Sequence, residues 1–419
     1  MSILECYGQD RAVYRLQRAR RGRRIPHSYI FHGPEGVGKG LLARQWVKLL
    51  LCSQPVRRPY QASRGKIGSH LALEEIDDSC DQCPDCHLVE AGTHPDLHIV
   101  TRDLARFLKE NRAKDTPVNF RIGVIREFVI KPAGQVPNRG RARVFIIEEA
   151  ETMTTAAQNA LLKTLEEPPS DTFLVLVSSH PERFLPTVRS RCQSVRFQPL
   201  PVEFIEEKLI SAGIAEVEAR YWARFSHGRL GPALELAGMD LYKIKRELDE
   251  RMAGLDYSTV LDLAGWLVEQ AKAFGKMYQK KQVEEEEASQ EEPDGEANDK
   301  GNNKANDKEN DKEKEKEASS SATRLGQRYF LQMLSDIFSK SLRYKILGEK
   351  VGARADISEK KTGIGHEPVE SQIARLYSPW SCAEAIRATS RAGRLLEANV
   401  NHTLLFESLL IKYMEYASS

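Results

Sequence analysis

The chain has 419 residues, enough for about two to three domains at roughly 100–200 residues each, and 62 Lys+Arg against 60 Asp+Glu leave a formal net charge of +2. So even a balance does not by itself advertise a nucleic-acid binder, and local patches matter more for any such role. The opening Met1–Cys6 has no basic region followed by an apolar one, and no run approaches the ~18 apolar residues of a membrane helix, so the expectation is a soluble, cytoplasmic protein with no membrane partner.

Near the start, Arg15, Arg18, Arg20, Arg21, Arg23 and Arg24 form a basic run that either attracts DNA phosphate or makes a solvated helix face or subunit contact. Ser28–His32 then reads as a short buried strand and Leu41–Leu51 as a helix. Between them lies Gly33-Pro34-Glu35-Gly36-Val37-Gly38-Lys39-Gly40. Strand, Gly-rich loop and helix form the context of a phosphate loop. Gly33, Gly36 and Gly38 let backbone N–H groups converge on phosphate oxygens, and Lys39 can reach the β/γ-phosphates. Position 40, where such a loop places a Ser or Thr on Mg²⁺, is glycine. Parts of an ATP site are thus present while a group that holds its Mg²⁺ is missing, which harms hydrolysis more than binding.

Seven cysteines, an odd number with no export signal, favour metal binding or free thiols over disulfides. Cys80-Asp81-Gln82-Cys83-Pro84-Asp85-Cys86 makes two adjacent C-x-x-C steps. Three thiolates leave a tetrahedral zinc one ligand short, and Cys52 is the natural fourth, with His87 and His94 as rivals. The polar stretch between Cys52 and Cys80 is expected to loop out. The competing reading, a redox pair or a knuckle without metal, is weaker because a redox pair has no need of a third evenly spaced cysteine.

Further strands are expected at Leu97–Thr101, Val144–Ile147 and Phe173–Ser178, with helices such as Ile122–Val129 and Thr155–Leu165 between them. Apolar strands alternating with helices predict a parallel sheet covered on both faces. The strand Val144–Ile147 runs into Glu148 and Glu149. Glu148 stands where a nucleotide site normally has a metal-orienting Asp, and its extra methylene displaces the carboxylate; Glu149 could polarise a water. A solvated strand end is the bland alternative. After Leu200 the pattern is all helical. Residues from about 281 to 323, rich in Glu, Lys, Asn, Asp and Ser, are expected to be disordered because they cannot bury enough apolar surface. Helical periodicity resumes at Tyr329–Leu334, and Ala353–Glu370 reads as another long connection.

The stretch from Glu148 through Asn159-Ala160-Leu161-Leu162-Lys163-Thr164-Leu165-Glu166-Glu167-Pro168-Pro169 resembles the second acidic motif and following helix of the AAA+ clamp-loader subunits. Ser190-Arg191-Cys192 matches that family's Ser-Arg-Cys motif. The cysteine knuckle followed by Ala91-Gly92-Thr93-His94-Pro95-Asp96 is similar to the bacterial DNA polymerase III clamp loader, and Leu396–Glu407 resembles its Asn-rich collar signature. Gly8-Gln9 resembles the adenine-side segment, and Ser178 and Ser179 the polar sensor. Together the resemblance covers residues 1 to about 240 and 325 to 419.

It implies an α/β AAA+ P-loop domain over 1–199 with an inserted zinc module at about 52–86, a small helical lid over 200–242, and an all-helical collar over 243–419 holding the insertion. In Gly228-Arg229-Leu230-Gly231-Pro232, Gly231 falls where the motor subunits carry a sensor arginine, although Arg229 lies close by. Gly40, Glu148 and Gly231 together resemble the delta-prime branch, the ATPase-incompetent stator of the family. That resemblance implies Arg191 as an arginine finger acting on a neighbour's ATP, for which a rigid guanidinium fork is suited. It also implies ATPase subunits and a delta subunit as partners in a hetero-pentamer, with the sliding clamp and primer–template DNA reached through the complex. The competing expectations are a hydrolysing gamma/tau-like motor and a zinc-dependent nucleic-acid-binding module on an inactive fold.

Overall fold

In the computed structural model, the four expected strands and a fifth at the edge lie side by side in one parallel sheet, in the order β4 (Leu97–Val100), β5 (Arg143–Ile147), β6 (Thr172–Ser178), β1 (Ser28–His32), β7 (Gln193–Arg196), the last of which is not among those expected from the sequence. The structure describes residues 2–22, 24–60, 74–108, 119–139, 141–288, 306–347, 369–396 and 400–418. Alternate side chains of each central strand enter different cores. Tyr29, Phe31, Val144, Ile146, Val175 and Val177 face one side, with Leu42, Trp46 and Val47 of α2 (Lys39–Leu51) and Val13 and Leu16 of α1 (Asp10–Arg21). Ile30, Phe145, Ile147, Leu174 and Leu176 face the other, with Leu161 and Leu165 of a helix over Thr155–Glu166. Burial on both faces is what near-continuous apolar strands require.

Three further features depart from the sequence expectation. The stretch after Cys52 is not a plain loop: β2 (Val56–Pro59) and β3 (Glu75–Asp78) pair antiparallel, though 61–73 between them lie outside the described residues. The helix expected over Ile122–Val129 is α-helical at Ile122–Ile125 and π-helical at Arg126–Ile130 before α-helix returns at Lys131–Ala133. Pro132 lacks the N–H that would bond back to Phe128, and a widened turn absorbs that mismatch. Finally, the tract expected to be disordered over 281–323 is entered by helix from both ends, one over Val260–Ala288 and one over Asn306–Leu347; only 289–305 lie outside the described residues. Low apolar content argues against a packed core, but Glu and Lys are good helix formers, and the described parts of the tract are helical.

The chain divides into two compact units, Met1–Ile214 with Trp222–Leu234, and Ala215–Tyr221 with Glu235–Ser419. Residues 200–242, expected as a separate lid, are shared between them. Beyond Leu200 no described residue lies in a strand and helices predominate, as the periodicity predicts. In the second unit, Val260–Ala288 and Asn306–Leu347 cross closely at glycines: a Cβ on Gly275 would lie 2.9 Å from the Thr323 nitrogen, and one on Gly326 would lie 3.1 Å from the Ala271 carbonyl. The Asn-rich segment contributes a cap, since Asn401 Oδ1 accepts the N–H groups of Thr403 and Leu404 at the start of His402–Ala417; residues 397–399 lie outside the described residues. Among the described residues no helix is long and apolar enough to cross a membrane.

Candidate functional site

The Gly-rich loop joins β1 to α2, and Gly38 takes a left-handed φ of 91° as the residue before α2. Its interior is held by the protein itself. The Lys39 ammonium donates to the carbonyls of Gly33 and Pro34, each at 2.7 Å, and to Ser179 Oγ at 2.9 Å. Burial lowers its pKa, against the raising influence of Glu151 and Glu35. The Gly231 N–H donates to the Gly36 carbonyl at 3.2 Å, and a Cβ on Gly36, where φ is +73°, would run into Pro232 Cδ. The start of the helix Leu230–Ala237 therefore rests directly on the loop.

Gly40 and Glu148 are neighbours in space: a Cβ on Gly40 would lie 4.0 Å from Glu148 Oε1. That same oxygen is 3.4 Å from Arg44 Nη2, one turn along α2, so a guanidinium supplies positive charge beside the carboxylate. Glu149 adopts a left-handed φ of 48°, uncommon for a residue with a side chain, and its carboxylate is held by Arg102 at 2.5 Å. Ser178 Oγ accepts the His180 N–H, a local backbone role. Gln9 is buried and bridges the Val37 and Gln198 carbonyls, at 3.2 and 2.8 Å, while accepting the Gln198 N–H. Arg229 donates to the Ser226 carbonyl.

Arg191 follows the short helix Pro186–Arg189 and is about one-third exposed. Its Nη1 donates to the Thr187 carbonyl at 2.9 Å and its Nη2 pairs with Glu166 Oε1 at 2.6 Å. On either side, Ser190 Oγ donates to that carbonyl, and Cys192 is buried in the core, where desolvation pushes its thiol up to about 12. The basic run on α1 is partly engaged. Arg15 donates to the Ser194 carbonyl, Arg20 pairs with Asp77, and Arg21 donates to the Glu75 carbonyl; Arg23 lies outside the described residues.

The metal candidates converge. The sulfurs of Cys52, Cys80, Cys83 and Cys86 lie within 4.8 Å of one another, and neither His87 nor His94 belongs to this cluster. Neighbouring sulfurs are 3.5 Å apart for Cys52–Cys80 and 3.9 Å for Cys52–Cys83 and Cys80–Cys86. A tetrahedron of thiolates around zinc would set them about 3.8 Å apart, so the donor set fits in number, chemistry and size. N–H groups of Cys80, Cys83 and Cys86 point at the sulfurs of Cys52, Cys80 and Cys83, at 3.3–3.4 Å. Burial opposes ionisation of Cys83, but hydrogen bonds with Ser53 and from the Cys86 N–H override it and hold the thiol at about 6; burial raises Cys52 and Cys86.

The residues around the cysteines bind them to the sheet. Lys48, 1% exposed on α2, pairs with Asp81 at 2.6 Å and Glu90 at 2.5 Å. Asp85 pairs with Arg139 and approaches His94 Nε2 at 3.6 Å, while His94 Nδ1 accepts the Asp96 N–H. Asp96 is wholly buried. It accepts the N–H groups of Asn138 and Arg139 and pairs with Arg143 Nη2 at 3.2 Å. Burial alone would raise its pKa, but those N–H groups and the guanidinium hold it below the ordinary carboxylate range. A depressed pKa contributes stability above the unfolded value, about 3.9, that is lost as pH falls through the folded value. Asp96→Asn is therefore expected to cost about 3–5 kcal/mol at pH 7, because Arg143 keeps its buried charge without a counter-charge, with the Pro132 and Val136 carbonyls and the Gln135 side chain left to receive its N–H groups, and the deficit should shrink in acid. Denaturant melts at pH 7 and pH 3 check both points.

Residues 8–201 match a family model described as "DNA polymerase III, delta subunit". The chain is 31% identical over 238 residues to the DNA polymerase III subunit delta' of Bacillus subtilis, covering 57% of this chain and 62% of that protein. With the delta' of Pseudomonas aeruginosa it shares 37% over 169 residues, 40% of this chain and 41% of that one, and with that of Escherichia coli 31% over 228 residues, 54% and 59%. The matches thus span between about two-fifths and three-fifths of the length of these relatives. The gamma/tau subunit of Mycobacterium tuberculosis is 32% identical over 201 residues, 48% of this chain and 29% of that protein. Among solved structures, a gamma subunit-related protein of Thermotoga maritima aligns with a TM-score of 0.39 at 15% identity, over 96% of this chain and 99% of that one.

Proposed function

We propose that this chain, whose residues 8–201 are delta-prime-like, is a subunit of the DNA polymerase III clamp loader with a degenerate nucleotide site of its own and an arginine, Arg191, offered to a neighbour's ATP. The observation that carries the first half is the state of one loop. Gly40 brings no hydroxyl to a metal, Glu148 is engaged by Arg44, Lys39 is bonded to the loop's own carbonyls, and residues 231–232 rest on Gly36. Phosphoryl transfer is catalysed by positioning and by charge stabilisation, and each change removes or diverts one of those groups.

Arg191 supports the second half. Its guanidinium is surface-accessible and held by a partly exposed carboxylate, the Thr187 carbonyl and the Ser190 hydroxyl, so a charged ligand from a neighbour can compete for it. The partners under this reading are ATPase subunits of the gamma/tau kind and a delta subunit in a hetero-pentamer in the cytoplasm, which loads the sliding clamp onto primer–template DNA. Zinc held by Cys52, Cys80, Cys83 and Cys86 would supply a structural cross-link, since a site closed by four thiolates has no open position for chemistry.

The 32% identity to a gamma/tau subunit favours a second reading, a hydrolysing motor. Phosphate release by the purified chain separates the two. Turnover is expected to be negligible, and Gly40→Ser with Glu148→Asp is expected to leave it so, because the Lys39 contacts and the Pro232 contact remain. Robust ATPase in the unaltered chain would overturn the stator reading.

A further inference from the structure

Cys52 differs from its three companions in how it reaches the metal cluster. Cys80, Cys83 and Cys86 lie on one short knuckle and brace one another, the Cys83 N–H on Cys80 Sγ at 3.3 Å and the Cys86 N–H on Cys83 Sγ at 3.4 Å. Cys52 comes from the end of α2, at the residue where the chain leaves the helix with ψ of 128°, and the β2–β3 ladder separates it from the knuckle. The knuckle meets this segment through the Cys80 N–H on Cys52 Sγ, at 3.4 Å, and through hydrogen bonds between Cys83 and Ser53, but the carbonyl side of the turn is held from outside the knuckle.

Arg141 fixes it. Its Nη1 donates to the Cys52 carbonyl at 2.8 Å and its Nη2 to the Ser53 carbonyl at 2.9 Å, so one planar fork spans two consecutive carbonyls. Arg141 lies two residues before β5, whose first residue, Arg143, is seated by the buried Asp96. The guanidinium is thus mounted on the sheet and aimed at the backbone of the outlying ligand. Its charge has a further effect: four thiolates around a divalent cation carry a net charge of −2, and a cation held at the ligand's own carbonyl favours that anionic state.

We infer that Arg141 is a positioning residue for the metal site, which orients Cys52 and slows metal loss without touching the metal. The inference rests on the reading of the four cysteines as a zinc site. Groups that orient ligands in this way typically affect metal affinity by about 10–100-fold. An arginine fork and a lysine are not equivalent here, because one ammonium restores the charge but not the simultaneous grip on both carbonyls.

The test uses the full chain and the variants Arg141→Ala and Arg141→Lys, with three measurements: zinc equivalents, the rate of zinc transfer to a chromogenic chelator, and the thiolate-to-metal charge-transfer absorption after cobalt(II) substitution. The wild-type chain is expected to hold about one equivalent. Zinc release is expected to be about 10–100-fold faster in Arg141→Ala and almost as fast in Arg141→Lys, with charge-transfer intensity falling toward that of three thiolates. The metal-free forms should melt alike, so that the difference appears only with metal bound. A wild-type chain without zinc would overturn the metal reading and this inference together. One equivalent in all three proteins with unchanged release would overturn the inference alone, as would full rescue by lysine or metal-free forms that differ as much as the loaded ones.

Discussion

Arg191→Ala is expected to leave the chain's fold and zinc content intact while sharply reducing the DNA- and clamp-stimulated ATPase of a reconstituted loader. The pair it breaks, Arg191–Glu166, is partly exposed on both sides, and such pairs contribute about 0–1 kcal/mol, too little to disturb the unit. In the trans position an arginine counts for far more, about 10³–10⁵ in rate in well-studied GTPases, because it meets charge that develops only in the transition state. A loader with several ATP sites dilutes the effect on total turnover, so clamp loading per ATP is the sharper measurement. Lysine should rescue poorly, lacking the planar fork. Equal ATPase and loading with wild-type and mutant subunits would remove Arg191 from the mechanism.

Cys83→Ser is expected to abolish stoichiometric zinc binding and to lower the melting temperature of the first unit more than any surface substitution. Cys83 is central to the knuckle: its N–H meets Cys80 Sγ, its sulfur accepts the Cys86 N–H, and it is the residue before the helix Pro84–Glu90. Structural zinc binding releases roughly 10–16 kcal/mol in small domains, where it becomes folding energy. Here the two cores on the faces of the sheet remain, so loss of metal should weaken the unit without unfolding it at room temperature. A chelator should lower the wild-type melting temperature to that of the variant and leave the variant unchanged, as linkage requires. Equal zinc content in both proteins would refute the assignment.

The strands and helices around the phosphate-like loop were legible because period, glycines and apolar runs all agree there. β7 was not, since Val195 is the only residue of Gln193–Arg196 buried in the core and an edge strand needs no apolar run. The β2–β3 ladder was hidden by its Arg and Asp side chains, which pair across the module rather than face a core. Counting ligands found Cys52, but not Arg141 or Lys48, whose partners lie far along the chain. A sequence signal for Lys48 did exist: a charged residue set among Trp46, Val47 and Leu49 in an apolar helix asks for a buried counter-charge. The contact of Pro232 with Gly36 left no local trace.

That contact gives the loop a tethered occupant. A residue attached to the same chain is present at an effective concentration of the millimolar order or above, however dilute the protein. A nucleotide whose binding needs Gly36 to move would have to displace it first, and its apparent affinity would then fall by the fraction of time the loop is open. The loop's arrangement should then be almost indifferent to the ratio of ATP to ADP around it. If the proposed assembly is right, and its other subunits change shape as they turn nucleotide over, such a unit would keep time-invariant geometry, a fixed datum against which their movement does work.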